Sequence, residues 1–140
     1  MSTWMNTLPE NAHRGVGRFP PGSIVGLDTG PLIYYIEEHP TFLPRVAPFF
    51  EAADRGEFRL VTSLVTLIEV LVHPVREGRL DLAQEYRNVL LQSPNLTPIP
   101  LDSGIAEQAA ELRAQYKLRT PDAIQIATAI RSGAFVVLHQ

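Results

Sequence analysis

Three acidic side chains occupy positions where carboxylates could do chemistry. Asp28 follows the apolar run SIVGL, and Asp122 lies in the first turn of an apolar helical pattern. Glu69 is the single charge in the segment LVTSLVTLIEVLV. Burying an unpaired charge in such a segment costs several kcal/mol, so Glu69 needs a partner. The three acids could share that partner.

A divalent cation would satisfy all three carboxylates at once. Two carboxylates about 4 Å apart repel each other by roughly 4 kcal/mol at an effective dielectric of about 20, and a bound cation removes that cost. Hard oxygen ligands without His or Cys favour Mg²⁺ or Mn²⁺ over Zn²⁺. These ions keep water ligands and engage phosphate groups, which is the chemistry of phosphodiester hydrolysis. The acids therefore predict a metal site in a hydrolase.

Each acid also has a purely structural interpretation, which the sequence leaves open. Asp28 begins Asp-Thr-Gly, which suits a turn before a helix. Asp122, in a first helical turn, would complement the helix dipole. Glu69 could face solvent or pair with Arg76, two helical turns further on. The chain would then be an unrelated α/β interaction protein, with its three carboxylates far apart.

Buried strands that alternate with helical patterns must position these acids. The runs that favour strands are residues 23–28, 58–63, 95–100 and 134–138. This alternation predicts parallel pairing and a three-layer α/β/α sandwich around a central parallel sheet. Such sheets bind ligands beyond the carboxyl ends of their strands, where Asp28 closes the first strand. The sheet thus gives the acids a place to meet.

Caps and prolines mark the ends of the predicted helices. The first helix is expected to start at Pro31, the second to span residues 46–55, and the third to run from a cap at Thr62 or Ser63 to His73-Pro74. The fourth is expected to cover residues 79–92, the fifth to start at a cap at Asp102 or Ser103, and the sixth to run from a Thr120 cap to Gly133. In the fifth of these helices, an apolar stripe is predicted over Ile105, Ala109, Leu112 and Tyr116.

Length and composition narrow the class of protein. The chain has 140 residues, enough for one domain, which we assign to residues 23–140 after a flexible tail over residues 1–22. It has no cysteine, which excludes thiolate catalysis and thiolate metal sites. Its formal charge of −3 argues against broad non-specific binding of nucleic acid. Neither a signal peptide nor a membrane span is predicted, which favours the cytoplasm.

Three stretches carry a resemblance to a known family. IVGLDTGPLIYYIE, LVTSLVTLIEVLVHPVREG and LRTPDAIQIATAIRSGA resemble the PIN-domain ribonucleases, most of all the VapC-type toxins of bacterial type II toxin–antitoxin pairs. The resemblance implies a Rossmann-like PIN domain in which Asp28, Glu69 and Asp122 hold Mg²⁺ or Mn²⁺ and carry catalysis. It implies an endoribonuclease that leaves 3′-hydroxyl and 5′-phosphate ends on RNA. It also implies a homodimer and an antitoxin whose C-terminal segment fills the acidic cleft.

The sequence departs from the family pattern at one position. The family commonly has a fourth acid just after the last strand, whereas this sequence runs from Leu138 to His139 and Gln140. The expected position is the first one beyond Gln140. This departure keeps a second interpretation open, in which the chain is a degenerate PIN-like module that binds antitoxin or RNA without efficient catalysis.

Other polar residues near the acids are secondary candidates. Thr29 and Ser63 could hydrogen-bond metal-bound water, or could cap helices. Arg119 is the preferred contact for an RNA phosphate because it is close to Asp122 in sequence. His73 is expected to end a helix rather than to act as an acid or base.

Overall fold

Strands and helices alternate along the chain in the computed structural model, which describes residues 19–20, 22–134 and 136–138. The elements are β1 (Ile24–Leu27), α1 (Thr29–Ile36), α2 (Leu43–Asp54), β2 (Arg59–Ser63), α3 (Val65–Arg76), α4 (Leu80–Gln92), β3 (Leu96–Ile99), α5 (Ser103–Gln115), α6 (Thr120–Arg131) and β4 (Val136–Leu138). All four predicted strands are present.

The four strands form one parallel sheet in the order β3-β2-β1-β4. In its register, Val25 of β1 lies between Leu60 of β2 and Val136 of β4. The chain moves outward from β1 to β2 and β3, then crosses back to place β4 on the other side of β1. The order therefore reverses between β1 and β4, which is where open α/β sheets bind ligands.

Two apolar layers cover the two faces of the sheet. On one face, α1 to α4 pack around strand residues that include Val25, Leu27 and Leu60. On the other face, α5 and α6 pack through small and branched residues such as Ala123 and Ile124. The predicted three-layer α/β/α sandwich is thereby confirmed.

One hydrogen bond joins α1 to α4 across the first layer. Tyr86 of α4 is 1% exposed, and its hydroxyl donates to the carboxylate of Glu37, the C-cap residue of α1. Burial raises the pKa of Tyr86 far above its usual value, and the hydrogen bond and charge of Glu37 raise it further. The phenol is therefore held in its neutral form.

Two predicted helix boundaries are wrong because local contacts outweigh proline signals. α3 continues past His73-Pro74 to Arg76, with Pro74 buried in its last turn. Proline there removes only one helical hydrogen bond. α1 begins at Thr29 rather than at Pro31, because the Asp28 carboxylate accepts a hydrogen bond from the Thr29 backbone and caps the helix.

Two further predictions about α5 and α6 need correction. Tyr116 is the C-cap residue of α5, with extended backbone angles and 59% of its surface exposed, so it does not continue the stripe of Ile105 and Ala109. The N-cap of α6 is Arg119, and the predicted cap, Thr120, is the first helical residue. Asp102 caps α5 as expected, by accepting a hydrogen bond from the Ile105 backbone at 2.8 Å.

The predicted tail contributes one residue to the core. Phe19 is 7% exposed and packs edge-on against Phe58, with ring centroids 5.3 Å apart. Residues 1–18 and 21 lie outside the described part of the chain, so the tail boundary at residue 22 stays a prediction. Among the described helices, none has the length and apolar character needed to cross a membrane.

Candidate active site

Asp28 and Glu69 meet at a single residue, Thr29. The Asp28 carboxylate accepts a hydrogen bond from the Thr29 backbone N–H at 2.8 Å. The Thr29 hydroxyl donates to Oε1 of Glu69 at 2.9 Å. Asp28 follows the carboxyl end of β1, and Glu69 lies in the second turn of α3, just after the carboxyl end of β2. Two acids that are 41 positions apart in sequence are thus brought to the same edge of the sheet.

Asp122 approaches this edge from the first turn of α6. That helix leads into β4, which lies parallel to β1, so its N-terminal turn lies at the carboxyl ends of the strands. Asp122 is paired with Arg119, whose Nε lies 3.1 Å from Oδ2 and whose second guanidinium nitrogen lies 3.5 Å from Oδ1. The Arg119 side chain is 78% exposed and that of Asp122 is 36% exposed, so the pair faces solvent.

Arg119 lies within electrostatic reach of all three acids. Its pKa is raised, chiefly by the hydrogen bond and charge of Asp122, with smaller contributions from Glu69 and Asp28. Asp28 and Glu69 are therefore not far apart, because both bond Thr29. The three acids lie on separate elements at the carboxyl ends of the strands, and we call this region the acidic edge.

The three acids have the ligand atoms that a hard divalent cation prefers, but in this arrangement they are not close enough together to hold it. Their carboxylate oxygens are the ligand type that Mg²⁺ and Mn²⁺ prefer. Within the described residues, however, no three His, Cys, Asp or Glu side chains are close enough together to hold a metal ion. The Glu69 carboxylate bonds Thr29 and that of Asp122 bonds Arg119, so the carboxylates point to these partners. The acids therefore have suitable ligand atoms for such an ion, but their side chains would have to rotate to bring the carboxylates together.

The structure resolves the alternatives for several secondary candidates. Glu69 is half-buried, and within residues 22–134 it forms no ion pair with Arg76. The predicted cap of α3 at Thr62 or Ser63 is wrong, because the N-cap residue is Leu64. The Ser63 hydroxyl accepts a local hydrogen bond from the Val65 backbone at 3.1 Å. His73 lies in the last turn of α3, where Nε2 is 3.3 Å from Glu77.

Sequence analysis missed three polar residues beneath the acids. Thr62, Thr66 and Gln125 are at most 4% exposed and hydrogen-bond one another. Threonine is common in strands and helices, so Thr62 and Thr66 carried little signal. Gln125 carried more, because it is the single amide in the run AIQIATAI.

Comparison with known proteins agrees with the fold. The family described as PIN domain matches residues 25–140. A chain of VapBC2 from Rickettsia felis, solved bound to a DNA fragment from its promoter, is 19% identical, with a TM-score of 0.66 over 84% of this chain and 88% of that one. A chain of a toxin–antitoxin complex from Klebsiella pneumoniae is 25% identical, with a TM-score of 0.61 over 83% and 86%. No curated protein matches the sequence.

Proposed function

The chain belongs to the PIN domain family, and from that premise we propose that it is a Mg²⁺- or Mn²⁺-dependent endoribonuclease acting as the toxin of a toxin–antitoxin pair. The observation that supports the proposal is that Thr29 joins Asp28 and Glu69 through hydrogen bonds of 2.8 and 2.9 Å, at the edge of the sheet where α6 begins with Asp122 in its first turn. The same three acids are the proposed metal ligands and catalytic residues. RNA is the proposed substrate, which implies action in the cytoplasm.

Each residue of the proposed site has a distinct task. Asp28, Glu69 and Asp122 would hold the ion through carboxylate oxygens, and Thr29 orients Glu69 through its hydroxyl. A bound Mg²⁺ or Mn²⁺ would supply a water ligand of lowered pKa and a polarised phosphate. Arg119 is exposed and carries a planar set of donors that suits an RNA phosphate, so it would leave Asp122 and hold the substrate beside the acids.

An antitoxin is the proposed protein partner. Its support is that the two similar structures named above are VapBC2 from Rickettsia felis and a toxin–antitoxin complex from Klebsiella pneumoniae. A segment that fills the acidic edge would need basic side chains to match the three carboxylates. Binding there would block RNA, so inhibition would follow from occupancy of the site.

A homodimer is the second proposed assembly, and α3 offers a surface for it. An exposed apolar stripe follows one side of this helix: Leu64, Ile68, Val72 and Val75 are 37%, 64%, 44% and 52% exposed. A two-fold axis brings identical patches together. Two identical apolar patches can pack against each other, whereas two identical patches of one charge would repel each other. We therefore assign this stripe to a second copy of the chain.

A second candidate function is a PIN-like module that binds without turnover. It is favoured by the absence, among the described side chains, of three potential metal ligands in contact distance of one ion. Such a module would keep the fold and bind antitoxin or RNA, while Arg119 and Thr29 stayed bonded to the acids.

Calorimetric titration with Mn²⁺ and a cleavage assay on a mixture of tRNA and rRNA test the proposal together. Asp28→Asn is the informative variant, because asparagine caps helices as well as aspartate and leaves α1 intact. Asp102→Asn is the control, since Asp102 is also an N-cap whose carboxylate accepts a backbone hydrogen bond, from Ile105 at the start of α5. We expect Asp28→Asn to lose both Mn²⁺ binding and cleavage with an unchanged melting temperature, and Asp102→Asn to keep all three.

Other outcomes separate the two candidates. Cleavage that is lost in Glu69→Gln would exclude the binding module. RNA binding without Mn²⁺ binding or cleavage by the unchanged chain would favour it. Cleavage that persists at full rate in Asp28→Asn would remove the proposed site from the reaction.

A further inference from the structure

A buried chain of hydrogen bonds runs beneath the acidic edge. Nε2 of Gln125 donates to the Thr66 hydroxyl, the Thr66 and Thr62 hydroxyls lie 2.7 Å apart, and the Thr62 hydroxyl donates to the Leu27 carbonyl at 2.7 Å. At the other end, Oε1 of Gln125 accepts from the Ser63 backbone at 3.1 Å. Each of the three side chains is at most 4% exposed.

Hydrogen-bond chemistry gives this chain one direction. A carbonyl only accepts, so the single hydrogen of Thr62 points to Leu27 and Thr62 must accept from Thr66. Thr66, having donated its own hydrogen, accepts from the Gln125 amide. Each hydroxyl donates to one neighbour and accepts from another. Removing one side chain therefore leaves polar groups of its neighbours without a hydrogen-bond partner, in a place that water does not reach.

Three links of the chain are close in sequence to a candidate acid. Leu27 precedes Asp28, Thr66 is three residues before Glu69, and Gln125 is three residues after Asp122. Residues three apart on a helix lie on the same side of it, one turn from each other. The chain thus links the end of β1, which Asp28 follows, to α3 and α6, the helices that carry Glu69 and Asp122.

A buried polar network adds geometric constraint more than net stability. Well-packed apolar side chains of similar volume would fill the same space at equal or lower free energy. Thr128 of α6 is a useful contrast, because it is equally buried but, among the described residues, its hydroxyl bonds only within its own helix, at the Ile124 carbonyl.

We propose that Thr62, Thr66 and Gln125 are positioning residues, whose hydrogen-bonded chain fixes the relative placement of Asp28, Glu69 and Asp122. The inference rests on the proposed function, because it concerns how those acids bind the ion. Residues that orient metal ligands from behind typically change metal affinity about 10–100-fold when they are substituted.

The test compares two isosteric losses of a buried hydroxyl, Thr66→Val and Thr128→Val. For each variant, Mn²⁺ affinity is measured by calorimetry and the free energy of unfolding by urea denaturation. We expect both variants to be destabilised, but only Thr66→Val to weaken Mn²⁺ binding, by about tenfold or more. Thr66→Ser retains the hydroxyl, so it should bind Mn²⁺ as tightly as the unchanged chain does. Gln125→Met, which keeps the length of the side chain but removes the amide, serves if Thr66→Val does not fold.

The outcomes distinguish failure of this inference from failure of the proposed function. If the unchanged chain binds Mn²⁺ and both Thr66→Val and Gln125→Met bind it equally well, the chain is structural and the positioning role is wrong. If the unchanged chain does not bind Mn²⁺, the proposed metal site is wrong and the positioning role falls with it.

Discussion

Arg119 dominates the electrostatics of the acidic edge at the scale of single residues. It pairs with Asp122 and its pKa responds to Glu69 and Asp28 as well. A cation paired with Asp122 competes with a divalent ion for that carboxylate. The same cation would attract the RNA backbone. Arg119 should therefore affect metal binding and RNA binding in opposite directions.

Arg119→Gln is expected to tighten Mn²⁺ binding by only about twofold, because water screens the exposed ion pair with Asp122, and to weaken RNA binding. Calorimetry gives the first quantity and filter binding in the presence of Ca²⁺, used here to replace the catalytic ion, gives the second. Arg113→Gln is the control, because Arg113 is an exposed arginine that bonds the Leu118 carbonyl instead. Equal Mn²⁺ affinity in the two variants would contradict the competition.

The sequence predicted the exposed members of the site and missed its buried support. Glu69 could be identified because a charge in an apolar run is conspicuous. Asp28 and Asp122 followed from the rule for ligand sites in parallel sheets. Thr62 and Thr66 could not be identified, because their role depends on contacts with Gln125, about 60 positions away in sequence. Metal ligation by the acids stays a prediction.

At the scale of elements, strands were predicted better than helix ends. Each strand is a short apolar run, and burial on both faces of a parallel sheet requires such runs. Helix ends depend on individual contacts, such as the Asp28 cap or the burial of Pro74. These contacts involve the fold around them, so proline alone gave the wrong boundaries for α1 and α3.

The contact between α1 and α4 predicts how stability depends on pH. In the folded chain, burial and Glu37 raise the pKa of Tyr86 above its unfolded value of about 10. A group whose pKa is raised in the folded chain stabilises the fold fully at pH values below its unfolded-state pKa. As the pH rises above that pKa, the phenol of the unfolded chain ionises while that of the folded chain stays neutral, so this stabilisation is lost. Stability should therefore fall above about pH 10.

Tyr86→Phe removes the titrating group and should flatten this decline. At pH 8 the variant is expected to lose about 1 kcal/mol with the hydrogen bond to Glu37. Urea denaturation at pH 8, 9.5 and 11 measures both effects. Tyr34 and Tyr35 also have raised pKa values through burial and titrate in both proteins, so the comparison isolates Tyr86. If the unchanged chain and Tyr86→Phe lose stability equally as the pH rises, Tyr86 ionises as readily in the folded chain as in the unfolded chain.

At the scale of the whole molecule, two apolar layers hold the parallel sheet between them. The sequence predicted this architecture because its strands alternate with amphipathic helices. The outer surface was harder to predict, since an apolar residue on a helix reads as core. Ile68 and Val72 lie in the apolar segment around Glu69, yet they are 64% and 44% exposed.

Self-association through the stripe on α3 can be tested by one charge. Ile68→Arg places a cation at the centre of the stripe, where two copies would face each other across the proposed two-fold axis. We expect it to convert dimers to monomers in sedimentation velocity at micromolar concentration. Ile130→Arg is the control, because Ile130 is 52% exposed on α6, away from the stripe. Dimers that survive Ile68→Arg would assign the interface to another surface.

The hydrogen-bonded chain beneath the acids has a consequence for how such a protein could evolve. A change at Thr66 or Gln125 alters no exposed side chain, so the surface that a partner recognises would be preserved. If these residues position the acids, one buried substitution would weaken the proposed metal site while the partner still bound. Under selection against the proposed activity, a lineage would therefore have a first step from enzyme towards binding module that leaves its surface unchanged.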